Sequence, residues 1–156
     1  MYQAIYDQAR PAFNAANSQT VVTEMRQLGF DRETFAPELL VFRGGDRYVA
    51  YLLSESDVAI RIGMGPYDPS QTSVNSMRLD EMIGFLYGSL KRGCHPVDDA
   101  GIEDCLAKAT KDLKEFAHDF LRGDFRPFLR VLSMKKKEDM EAAKERERLT
   151  KSVYLA

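Results

Sequence analysis

Between Glu38 and Met64 the chain reads ELLVFRGGDRYVAYLLSESDVAIRIGM, and this stretch constrains the fold more than any other. Leu39–Phe42 is a short apolar run closed by Gly44-Gly45-Asp46, the sequence mark of a tight hairpin. Tyr48–Leu53 follows, with β-branched and aromatic residues at consecutive positions, which places it centrally with both faces covered. After a turn at Glu55-Ser56-Asp57, the residues Val58, Ile60, Ile62 and Met64 alternate with Ala59, Arg61 and Gly63. One face of that strand is therefore buried and the other partly wet. A short antiparallel meander cannot bury its apolar face alone, so helices must cover it. The face of Val58, Ile60 and Ile62 is expected to receive them, and the face carrying Arg61 and Tyr51 to remain open.

The flanks supply those helices. Tyr2, Ile5, Tyr6 and Ala9 have helical spacing up to Pro11. Val21, Val22, Met25 and Leu28 form a second stripe, with Asn17 or Ser18 as cap. Gly29 suits its left-handed end, and Phe30 can fold back on the last turn. Asp31–Pro37 reads as a connector, and the chain from Gly65 to Asn75 as loop. Leu79, Met82, Ile83, Leu86 and Leu90 predict a third helix, with Asp80 and Glu81 in the first turn where the dipole favours acids, and Gly93 to Pro96 break it.

Asp98 or Asp99 caps the strongest helix. Its stripe of Ile102, Cys105, Leu106, Ala109, Leu113, Phe116, Ala117, Phe120 and Leu121 holds register for about five turns. Gly123 stops it, and Asp124 caps a further helix carrying Phe125, Phe128, Leu129 and Leu132, with Pro127 in the first turn. The expected class is α+β: an antiparallel meander of three to four strands packed against N-terminal and C-terminal helices. A single domain spans 1–133, and 134–156 forms a charged helical tail.

Charge is unevenly spread over this frame. From Arg122 onward ten Lys/Arg face six Asp/Glu, whereas the preceding residues carry twelve against eighteen. An acidic body with a basic tail results, and the net charge of −2 disfavours nonspecific nucleic-acid binding. The apolar run Val49–Leu53 is too short to cross a bilayer. The opening MYQAIYDQAR lacks the basic and apolar regions of a signal peptide, so a cytoplasmic location with reduced thiols is expected.

No catalytic signature emerges. Cys94, His95, Cys105 and His118 match no compact zinc spacing, and Cys105 lies on an apolar stripe. Gly63-Met64-Gly65-Pro66 follows a strand but lacks the form of a phosphate-binding loop. The sequence thus implies no catalytic residue, no cofactor and no metal. What stands out is suited to a protein partner. Tyr48, Tyr51 and Tyr67 with Arg61 form a candidate aromatic patch, since tyrosines serve as interface anchors. Asp98, Asp99, Glu103 and Asp104 crowd one helix start as a candidate acidic patch for a basic partner.

The order of elements carries a resemblance. A helix ending Leu28-Gly29-Phe30 is followed by ELLVF, a hairpin, DVAIRIG, LDEMIGFL and DLKEFAHDFLRGDFRPFL. From about Val21 to Leu132 this resembles small bacterial α+β proteins encoded beside polymorphic toxins, some of which act as immunity proteins. The resemblance implies a non-enzymatic protein-binding domain, an immunity-type inhibitor of a cognate, basic toxin. It supplies no catalytic residue. Two other readings follow from the residues. One is a small-molecule or enzymatic site between sheet and long helix, using Arg61, Tyr48 and His118. The other is a self-associating module in which the tail pairs with its symmetry mate.

Overall fold

Register along the central hairpins sorts the sheet's side chains onto two faces, and the rest of the fold follows from that sorting. The computed structural model describes residues 18–36, 38–54, 57–71, 75–88, 94–97 and 101–155. The helix expected over Tyr2–Ala9, and Asn17, Glu55, Ser56, Asp98 and Asp99, lie outside them.

The class is α+β, as expected, but the sheet is larger. Its strands are β1 (Asp31–Ala36), β2 (Leu39–Gly44), β3 (Arg47–Leu53), β4 (Asp57–Met64), β5 (Ser76–Arg78) and β6 (Cys94–Pro96). They run antiparallel in the order β1-β2-β3-β4-β5, with β6 also on β4. The two short strands share one edge of β4: β5 pairs with Arg61–Gly63 and β6 with Asp57–Ala59. The expected connector at Asp31–Pro37 is instead largely β1. Its sequence, DRETFA, has little strand character of its own, and pairing with β2 holds it extended. The helix break at Gly93–Pro96 likewise contains β6.

Among the described residues, five α-helices accompany the sheet: α1 (Ser18–Gln27), α2 (Leu79–Tyr87), α3 (Gly101–Phe116), α4 (His118–Leu121) and α5 (Arg126–Leu155). The predicted end of α1 is observed in detail. Gly29 has φ 87°, the Phe30 amide donates to the Met25 carbonyl at 2.9 Å, and the Gly29 amide donates to the Arg26 carbonyl at 3.0 Å. This is the paired hydrogen bonding of a Schellman end, and it seats Phe30 in the core. The β2–β3 turn places Gly45 at φ 61° and keeps Asp46 at negative φ, the φ pattern of a type II′ hairpin.

The long stripe from Ile102 to Leu121 is broken. Ala117 leaves helical geometry at φ −112° and ψ 24°, so α3 ends at Phe116 and α4 restarts at His118. The kink brings Phe120 within 4.9 Å of Phe128, ring centre to ring centre, and 5.7 Å of Phe125. At the other boundary, Gly88 (φ 72°) ends α2 after Tyr87, short of the predicted Leu90.

The inner face of the sheet carries Leu40, Phe42, Val49, Tyr51, Leu53, Val58, Ile60, Ile62 and Met77, all buried in one core with α1 to α4 and the start of α5. Cross-strand pairs Val49–Ile62, Tyr51–Ile60 and Leu53–Val58 set this face. The strand β4 receives α3 on it, as expected. Tyr51 does not belong to the open face: the register opposite Ile60 turns it inward. Its hydroxyl meets Thr110 Oγ1 at 2.8 Å, and Thr110 in turn donates to the Leu106 carbonyl at 2.8 Å. Tyr51 therefore donates to Thr110 and ties β3 to α3, and burial pushes its hydroxyl pKa far up.

Candidate functional site

On the outer face, large residues stand opposite small ones. Tyr48 pairs with Gly63, Ala50 with Arg61, and Leu52 with Ala59. The Tyr48 ring lies over Gly63 so closely that a Cβ there would sit 2.5 Å from Cζ and the hydroxyl. Tyr67 meets Tyr48 edge-on at 5.3 Å between ring centres. Arg61 Nη1 donates to Ser76 Oγ at 3.0 Å, and Ser76 also hydrogen-bonds the Tyr48 side chain. Burial raises the Tyr48 pKa against the opposing pull of Ser76 and Arg61.

Three of the candidate residues, Tyr48, Tyr67 and Arg61, are thus brought together, but they are packed on one another. Tyr48 is 3% exposed, and Val41 and Ala50 beside it are buried. The expected open face is a second, smaller core. A pocket of about 130 Å³ beside Tyr48, bounded by Pro66, Asp68, Asn75 and Ser76, is below the several hundred Å³ of an ordinary ligand site.

Of the acidic patch, Glu103 and Asp104 are among the described residues. Asp98 and Asp99 lie outside the described residues. Asp104 binds Lys108 of its own helix at 2.8 Å, and Glu103 is exposed. The residues expected to converge between sheet and long helix do not meet there: Tyr48 and Arg61 are on the sheet's far face, and His118 is exposed on α4. Larger depressions of about 330–410 Å³ lie on helix surfaces, lined by charged side chains.

Several polar contacts join residues in ways the sequence does not announce. His95 Nε2 lies 2.5 Å from Asp112 Oδ2, and Cys105 Sγ donates to the His95 carbonyl at 3.2 Å, so β6 is fastened to α3 twice. The buried thiol addresses a backbone oxygen, which makes it a structural contact. Arg47 lies 4.8 Å above the Phe30 ring and 5.7 Å from that of Phe125. It donates to the Gly44 carbonyl at 3.0 Å and to the Leu121 carbonyl at 2.8 Å, at the end of α4. That carbonyl is at the negative pole of the helix, and the guanidinium joins the β2–β3 hairpin to it. Among the described residues no group of three or more His, Cys, Asp or Glu is placed to hold a metal.

Among the described residues, the later part of α5 is a long surface without intramolecular cover. The first turns of the helix are built into the body. Asp124 accepts from the Arg126 amide at 3.2 Å and binds the Arg126 guanidinium through both oxygens, which holds its carboxyl at a pKa of about 2. Phe128, Val131 and Leu132 are buried, and Lys135 reaches Glu81 of α2 at 3.2 Å. The helix continues unbroken through Ser133, but its burial does not: residues 136–153 are all exposed. From Met134 to Leu155 it extends about 33 Å. The side that faces the core at Phe128 and Val131 continues as Asp139, Ala142, Arg146, Leu149 and Val153, and Val153 is 76% exposed. Ion pairs along the helix, Arg148 with Glu145 and Lys151 with Glu147, support its backbone without covering that side. No described helix is long and apolar enough to cross a membrane.

Comparison with known proteins adds no relative: no family model, curated protein or solved structure matches the chain.

Proposed function

We propose that this chain is a non-enzymatic protein-binding module that engages its partner through the projecting part of α5. The observation that carries the reading is the continuation of α5 past the body, where the large apolar residues Leu149 and Val153 are exposed on the side that faces the core in its first turns. Exposed apolar residues at the end of a preformed helix suit insertion into a partner's groove, because the ordering cost is already met. Within this class, an immunity-type inhibitor of a cognate toxin in the bacterial cytoplasm is the role to which the order of elements points.

The test is affinity isolation of the tagged full chain at endogenous level, beside a Leu149→Glu, Val153→Glu variant. A stoichiometric protein partner held by the first and lost by the second is expected. Recovery of the unaltered chain alone overturns the reading. Sedimentation of the purified chain separates self-pairing from a foreign partner, since a dimer abolished by the same variant would make the partner a second copy.

A further inference from the structure

Seven residues along an α-helix advance about 10.5 Å and fall about 20° short of two full turns, so residues at that spacing form a gently slanted ridge. Arg130, Lys137, Lys144 and Lys151 keep this spacing along α5, and all four are exposed. At about 100° per residue, their mean direction is about 180° from that of Phe128, Val131, Leu132 and Lys135, the residues turned toward the body. The ridge therefore points away from the molecule. Among the described residues, Arg130, Lys137 and Lys144 have no ion-pair partner, and Lys151 pairs only with Glu147. Met140, 60% exposed, lies about 50° around the helix from this line, on the same flank as Glu147.

The ridge is narrow. Glu141 lies on one flank and Glu147 on the other, each about 50–70° around the helix from the line of bases. A duplex phosphate backbone or an anionic lipid surface presents negative charge broadly and would press against both carboxylates. A partner of the same width avoids them: a helix with a line of acids flanked by bases. The slant favours the same occupant, since two helices following ridges that drift about 20° per seven residues wrap around each other with a left-handed crossing. A second copy of this chain does not fit, because none of its described helices carries three carboxylates at seven-residue spacing.

Building on the protein-binding reading, we propose that Arg130, Lys137, Lys144 and Lys151 form a docking ridge for an acidic α-helix of the partner, with Met140 as an apolar contact on its flank. The ridge sets the register of the partner helix through its charges and speeds encounter, while Met140 supplies desolvated contact.

The test uses the full chain and two synthetic helical peptides of identical composition. One carries glutamates every seven residues, and its isomer distributes the same glutamates around the helix. Fluorescence anisotropy at low salt should show the first bound about tenfold more tightly, as expected for three or four exposed charge pairs, with the preference shrinking in high salt. An Arg130→Glu, Lys137→Glu, Lys144→Glu variant should lose that preference and gain one for a peptide with lysines at the same spacing. An unchanged circular dichroism spectrum and urea midpoint show that the variant is folded. Equal binding of the two isomers overturns the ridge, as does tighter binding of a short DNA duplex or of phosphatidylserine vesicles. A native partner that stays on the triple variant, yet is lost from the Leu149→Glu, Val153→Glu variant, overturns the ridge alone and leaves the protein-binding reading intact. A chain isolated without any partner overturns that reading, while the peptide pair still decides the ridge.

Discussion

The first turns of α5 and its last turns share one backbone geometry and little else. Up to Lys135 the helix is part of the body: Phe128, Val131 and Leu132 are buried in the core beside α4 and α2, and Lys135 is held by Glu81. Beyond it the residues through Val153 are exposed and helix stability rests on local terms. Nucleating a helix is the costly step, and extending one costs little. The packed start supplies the nucleus, and Ala142, Ala143, Glu and Lys residues of high helix propensity carry the extension. One element thus shows that being helical and being buried are separate properties with separate causes.

The contrast can be broken most strongly at its buried end. Phe128→Ala should cost about 3–5 kcal/mol in global stability, because a large ring is removed from a site that cannot collapse around Phe120. Met140→Ala, at an exposed site of the same helix, should stay within about 0.5 kcal/mol. Urea denaturation of both variants measures the difference, and similar midpoint shifts would erase the distinction between the two ends.

A smaller effect is expected from Ala142→Gly. It should lower the local stability of the projecting turns by about 1 kcal/mol, visible as faster amide exchange near residue 142, while the urea midpoint stays in place. A midpoint that moves with it would show the extension to be coupled to the body.

The smallest concerns the start of the helix. The Arg126 guanidinium and amide hold the Asp124 carboxyl at a pKa of about 2, below the ordinary range. A depressed folded-state pKa contributes stability above the unfolded value near 4, and that contribution is lost as pH falls toward 2. Asp124→Asn should therefore weaken the first turn of α5 at neutral pH, and the gap to the unaltered chain should close between about pH 4 and pH 2. Amide exchange at Phe128 and Leu129, followed by NMR, reports it. A gap independent of pH would assign the effect to something other than the carboxylate.

Much of the fold was legible because it is local. Gly29 and Phe30 end α1 as their spacing demands, and the alternation in Asp57–Met64 sorts β4 correctly onto two faces. Asp124 caps α5. Tyr51 was read onto the wrong face because β3 is apolar at successive positions, and such a run carries no parity; only pairing opposite Ile60 supplies it. The strand β1 was missed because a charged edge strand takes its conformation from its neighbour. The kink at Ala117 interrupts a periodic stripe that continues on either side of it, so periodicity alone passes over it.

The candidate surface divides the same way. The tyrosines and Arg61 were visible as residue types, but packing turned their face into a small core. Arg47 and the Leu121 carbonyl lie 74 residues apart, and His95 and Asp112 lie 17 apart, so no local pattern announces either contact. The basic ridge is the reverse case: its seven-residue spacing is written in the sequence, but its meaning depends on the direction in which Phe128 and Val131 are buried.

By itself, then, the sequence determined the end of α1, the central hairpin, the buried face of β4, the imbalance of charge and the helical character of the tail. These depend on backbone preference and on spacings of a few residues, which act wherever the chain is. The tertiary structure alone decided the facing of Tyr51, the burial of Tyr48, the cradle around Arg47 and the point on α5 where cover ends. Each of those is set by groups distant in the chain meeting in space, where burial and pairing outweigh any local preference.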